Sequence, residues 1–140
     1  MDRYILLADD DADDQDLLQE AILEIAPGTL IRSVSNGQRV LSFLEECPDN
    51  GLPSLLILDY QIPPLDAYEI LTVLSGQAQF AEMAKVVWSS SSQTSHINNC
   101  LRKGALKYFL KPNDIVELKA LAGELVAIFQ KAVPGHRSPL

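Results

Sequence analysis

Six aspartates fall within eight residues near the start of the chain: Asp9, Asp10, Asp11, Asp13, Asp14 and Asp16. A helix that begins here accounts for some of them, since an acidic residue in a first turn offsets the positive helix end by about 0.3–1 kcal/mol. Asp13, Asp14 and Asp16 read that way. Asp9 and Asp10 do not, because they directly follow the apolar run Tyr4–Ala8. A further carboxylate, Asp59, follows another such run, Leu55–Leu58. Three converging carboxylates repel one another unless protons or a cation intervene. A hard divalent ion with oxygen ligands resolves that conflict, Mg2+ by preference. Ser89 and Lys111 close two more apolar runs. A metal, an ammonium and a hydroxyl around a carboxylate are the parts that phosphoryl transfer needs, with the carboxylate as nucleophile.

These residues converge only if the elements that carry them share one edge. The apolar runs are Tyr4–Ala8, Leu30–Val34, Leu55–Leu58, Lys85–Trp88 and Leu106–Leu110, each too short for a helix. Between them the apolar residues take helical spacing: Leu17, Leu18, Ala21, Ile22 and Ile25; Val40, Leu41 and Leu44; Tyr68, Leu71 and Leu74; Ile97, Cys100 and Leu101. The last stripe, Ile115, Leu118, Leu121, Ala122, Leu125 and Ile128, runs for four turns, with Asp114 and Glu117 spaced for a capping box. Asn36-Gly37 reads as a turn into the second helix. Strands separated by crossover helices run parallel, with helices on both faces. The expectation is an α/β fold, a five-stranded doubly wound parallel sheet in the (βα)5 order. Ligands of such sheets bind beyond the carboxyl ends of the strands.

The chain has 140 residues and a net charge of −8, which suits one domain over residues 1–133 and a fraying tail, 134–140. That charge argues against nucleic-acid or anionic-membrane partners. No apolar run reaches the roughly 20 residues of a transmembrane helix, and no signal-peptide pattern opens the chain, so the expected location is cytoplasmic. Cys47 and Cys100 read as free thiols.

The ordered set Asp9-Asp10, Asp59, Ser89 and Lys111-Pro112, each after a hydrophobic strand, resembles the receiver domain of two-component response regulators (the CheY-like fold). Thirty positions separate Asp59 from Ser89 and 22 separate Ser89 from Lys111, intervals that fit the family. The resemblance covers residues 3–131 and implies the flavodoxin-like strand order 2-1-3-4-5. It implies that Asp59 is the phosphoacceptor. Asp10, Asp59 and the Gln61 backbone carbonyl would then ligate Mg2+, with Asp9 acting through water. Lys111 would pair with the phosphoryl group, and Ser89 and Tyr108 would form the switch. The Lys111–Pro112 bond would be cis.

The same resemblance implies a histidine kinase or phosphotransfer protein as phosphoryl donor and a downstream protein target. The DDDADD opening and the KPND segment resemble stand-alone receivers, which signal by docking. Relatives dimerise through the fourth helix, fifth strand and fifth helix, so a homodimer is allowed. Such a protein is no enzyme beyond its own phosphorylation and dephosphorylation. Gln61 and Ser91 hold the two positions that tune phosphoryl lifetime. Ala67 stands where the family has Gly, which puts the start of the third helix in question. Two rivals share some of these parts. A haloacid-dehalogenase-like phosphatase places its nucleophile first, in Asp-x-Asp-x-(Thr/Val), a pattern that Asp9-x-Asp11-Ala12-Asp13 misses. An unphosphorylated pseudo-receiver usually lacks the acceptor, the acidic pair or the lysine, and all are present here.

Overall fold

A computed structural model describes residues 3–48 and 50–132. The tail 134–140 lies outside the described residues. Five strands alternate with five helices: β1 (Tyr4–Ala8), α1 (Ala12–Ile25), β2 (Leu30–Val34), α2 (Gly37–Glu46), β3 (Leu55–Asp59), α3 (Ala67–Ser75), β4 (Ala84–Ser89), α4 (Thr94–Arg102), β5 (Lys107–Leu110) and α5 (Ile115–Lys131). All strands of the sheet are parallel, in the order β2-β1-β3-β4-β5, as expected. The spacing does not reveal a two-residue ladder of Gln61–Ile62 with Leu65–Asp66, nor a 3-10 turn at Ala78–Phe80. Both are too short to leave a periodic signal.

Side chains alternate across the pleat, so each central strand serves two cores. Ile5, Leu7, Ile57, Val86, Trp88 and Phe109 pack with Leu18, Ala21 and Ile22 of α1 and Leu118, Leu121, Ala122 and Leu125 of α5. Leu6, Ala8, Leu56, Leu58 and Val87 face the other way, onto α2, α3 and Cys100 of α4. Burial on both faces explains why β1, β3 and β4 read as nearly all-apolar runs.

Some expectations need correcting. Ile115 is 58% exposed, Leu17 49% and Ile25 46%, so the stripes of α1 and α5 are narrower than their sequence pattern. Ile115 and Ile25 are end residues of their helices, whereas Leu17, in the second turn of α1, lines a groove with Trp88, Lys111 and Ile115. Asp114 caps α5 by accepting from the Glu117 N–H at 2.8 Å, but the Glu117 carboxylate turns to the Asn113 N–H instead of closing the box. The complete capping box is Asp66 with Glu69, at the start of α3.

Asn36-Gly37 also does more than turn the chain. Gly37 lies against the acceptor loop so closely that a Cβ would sit 2.7 Å from the Ile62 carbonyl and 2.8 Å from the Leu65 Cβ. Its N–H donates to the Pro63 carbonyl at 3.2 Å. Cys47 and Cys100 form no disulfide, and the Cys47 thiol donates to the Phe43 carbonyl at 3.2 Å.

Candidate functional site

Strand register brings the polar residues together. Ala8 pairs with Leu58, Leu58 with Val87 and Val87 with Tyr108, so Asp9, Asp59 and Trp88 come next at one level of the carboxyl edge. Ser89 follows beside Leu110, and its carbonyl accepts the Lys111 N–H at 2.8 Å. The pleat then sorts these residues by face. Asp9, Asp59, Trp88 and Lys111 continue the rows that face α1 and α5. Ser89 and Tyr108 continue the rows that face α3 and α4.

On the first side, Lys111 Nζ lies 3.0 Å from Asp59 Oδ2, 3.0 Å from Asp9 Oδ2 and 2.7 Å from Asp14 Oδ2. The ammonium also sits 4.8 Å from the centre of the Trp88 ring. Burial alone would depress Lys111, but the carboxylates of Asp14, Asp9 and Asp59 more than offset it and hold the group above an ordinary lysine. Burial pushes Asp59 up to about 6; Lys111 pulls it down and the Asp9 charge raises it again. Gln15 fixes the end of β1 by donating from Nε2 to the Asp9 and Val34 carbonyls.

Asp9, Asp10 and Asp59 each offer an oxygen within 4.8 Å of the others. Asp9 is fully buried and accepts the Asp11 N–H on Oδ1 at 2.9 Å. Its Oδ2 pairs with the Lys111 ammonium at 3.0 Å. These three carboxylates fit a hard divalent ion. Asp10, Asp59, Gln61, Ser89 and Ser91 line one cavity of about 540 Å3, whereas Lys111 lines a separate groove with Asp14 and Trp88.

On the second side, Ser91 is a hub. Its N–H donates to Ser89 Oγ at 3.1 Å, its Oγ lies 2.7 Å from His96 Nδ1, and its carbonyl accepts the Tyr108 hydroxyl at 2.8 Å. The His96 ring stacks on Tyr60, the residue after Asp59, with centroids 3.9 Å apart and planes 12° from parallel.

Two expectations about individual residues are corrected. Lys111–Pro112 is trans, and the cis bond among the described residues is Pro63–Pro64. Both are X-Pro bonds, whose weak preference for trans leaves the choice to the surroundings. Asp14 is more than helix-end charge, since its side chain reaches Lys111, and Asp11 is the residue that caps α1. His96 and Gln15 give no signal in the sequence, because each acts through contacts that tertiary packing creates.

Known proteins resemble this chain in sequence and in fold. Residues 5–122 match the family model described as the response regulator receiver domain. The two-component response regulator ARR3 of Arabidopsis thaliana is 29% identical over 144 residues, spanning 98% of this chain and 62% of that protein. ORR5 of Oryza sativa subsp. japonica is 33% identical over 82 residues, 59% of each. The chain thus spans about three-fifths of the length of these curated relatives. Among solved structures, the phosphorylated cyanobacterial phytochrome response regulator RcpA has a TM-score of 0.84 at 20% identity, over 94% of this chain and 96% of that one. The Mn2+-bound response regulator Rcp1 has a TM-score of 0.81 at 20% identity, over 94% and 97%. The structural likeness carries the fold and the match over residues 5–122 carries the family: this chain belongs to the response regulator receiver domains.

Proposed function

We propose that the protein is a phosphoacceptor of a two-component phosphorelay, modified on Asp59. The observation that carries this reading is the Asp59 carboxylate, 3.0 Å from the Lys111 ammonium and grouped with Asp9 and Asp10 at the mouth of an open cavity. An Asp59 oxygen attacks the phosphorus of the donor. The new O–P bond forms as the bond to the leaving group breaks, and that electron pair departs with the donor. The product is an acyl phosphate on Asp59. Water later cleaves its O–P bond, restoring the carboxylate and releasing inorganic phosphate.

Lys111 pairs with the phosphoryl charge, and the Ser89 hydroxyl donates to a phosphoryl oxygen. Asp10, Asp59, Asp9 and the Gln61 carbonyl would hold Mg2+, which supplies positive charge against the incoming phosphoryl group. Gln61 and Ser91, both at the cavity, set water access and so the lifetime. The donor is a histidine kinase or phosphotransfer protein, the output is docking to a protein target, and the compartment is the cytoplasm. None of the described helices is long and apolar enough to cross a membrane.

Incubation with acetyl phosphate and Mg2+, followed by intact-mass measurement, tests this reading. One phosphoryl adduct is expected, and none in Asp59→Asn. An equal adduct in that variant would place the chemistry on another residue.

A further inference from the structure

Lys111 has three N–H donors and three carboxylates around it, with Asp14 the nearest at 2.7 Å. The three are not equally replaceable. Asp9 is fully buried, so losing its cation would leave a bare charge in the interior, which is costly. Asp59 is the acceptor itself. The Asp14 side chain is 32% exposed on the first turn of α1, and water can solvate it when it lets go. Its backbone N–H, not its carboxylate, is what Asp11 uses to cap the helix, at 3.1 Å.

We infer that Asp14 is a positioning residue that occupies the phosphoryl group's place on Lys111 in the resting protein and is displaced when Asp59 is phosphorylated. The inference rests on the receiver function proposed for Asp59. A phosphoryl oxygen then takes the Lys111 donor that Asp14 held, while the pair with Asp9 persists. Asp14 therefore competes with the phosphoryl group from within the chain. Its release also changes the groove of about 290 Å3 that Asp14 and Lys111 line together with Leu17, Trp88 and Ile115. Phosphorylation so reaches the α1–α5 side directly, apart from the Ser89–Tyr108 side.

Beryllofluoride, a phosphoryl mimic, tests this in saturating Mg2+, with emission of Trp88, the single tryptophan, as the readout. Asp14→Asn and Asp14→Ala are both expected to bind beryllofluoride about three- to fivefold tighter than wild type, the weight of one partly exposed ion pair. A residue that merely supports the fold would give unchanged or weaker binding. Asp13→Asn makes the same charge change at an exposed neighbour that is not among the three carboxylates on Lys111, and it is expected to stay within twofold. Unchanged or weaker binding in both Asp14 variants, or an equal gain in Asp13→Asn, overturns the place-holder while wild-type binding still supports the receiver reading. Absence of binding in wild type overturns the receiver reading itself, and the place-holder with it.

Discussion

The Tyr108 hydroxyl donates to the backbone carbonyl of Ser91 at 2.8 Å, and its half-buried ring packs against the α2–α3–α4 core. The ring is thus tied to the loop after β4, the same loop whose Ser91 N–H reaches Ser89. Tyr108→Phe keeps the packing and loses the tie, which should cost about 0.5–1.5 kcal/mol. Urea denaturation of the two proteins measures it. No loss would mean that the tie adds nothing to stability.

In the metal-free protein Asp59 keeps its proton up to about 6, against 3.8 for the ordinary group. Between those values the folded state binds more protons than the unfolded chain, so this residue's contribution to stability falls as pH rises from about 4 to 6. The full swing is at most about 3 kcal/mol and is reduced by solvent at the open mouth. Asp59→Asn removes the titration. In EDTA its stability relative to wild type should therefore improve steadily from pH 4 to pH 7. A constant difference would show that Asp59 titrates normally.

Asp10 is exposed, and it is not among the three carboxylates on Lys111. Asp10→Asn should therefore change metal-free stability by no more than about 0.5 kcal/mol. It removes one of three clustered carboxylates and should weaken Mg2+ binding by about tenfold or more. Calorimetric titration with Mg2+ and thermal melts in EDTA separate the two effects. Unchanged affinity would reduce Asp10 to surface charge.

Ala67 replaces the family's glycine at no conformational cost. No non-glycine residue among those described has a positive φ, and Ala67 is the first residue of α3, buried, with its N–H donated to the Tyr60 carbonyl at 2.8 Å. Ala67→Gly should destabilise by about 0.5–1 kcal/mol. Asp66→Ala, which removes the capping side chain, should cost about 1 kcal/mol. Denaturation midpoints decide both, and a gain in Ala67→Gly would show a strained helix start.

Gly37→Ala should destabilise by about 1–3 kcal/mol, since the added methyl meets a backbone carbonyl and the Cβ of Leu65. The loop after Asp59 should loosen with it. Hydrogen exchange at Gln61 and Leu65 reads the loosening. Protection equal to wild type would mean that the loop does not lean on α2.

Most of the architecture is legible in the sequence because it is encoded locally. Runs buried on both faces must be apolar, helices between them must show a stripe, and a parallel sheet must gather the residues after each strand at one edge. Asp9, Asp10, Asp59, Ser89 and Lys111 can therefore be placed without knowledge of any contact. The sequence alone does not decide which side of the sheet each of them faces, nor which group meets it there. Asp14 and Lys111 lie 97 positions apart, and their contact depends on how α1 settles against β5.

Lys85, within an apolar run, finds its partners locally. It is buried in β4 and gives its ammonium to the carbonyls of Phe80 and Met83, and burial lowers its pKa. Both acceptors lie only five and two positions earlier in the chain, so this contact is made by the turn that leads into β4. By contrast, the stacking of His96 on Tyr60 is a tertiary outcome, like the contact of Asp14 with Lys111. Periodicity is a property of neighbours in sequence, whereas the partner of a polar side chain is whichever group the packed elements leave within about 3 Å.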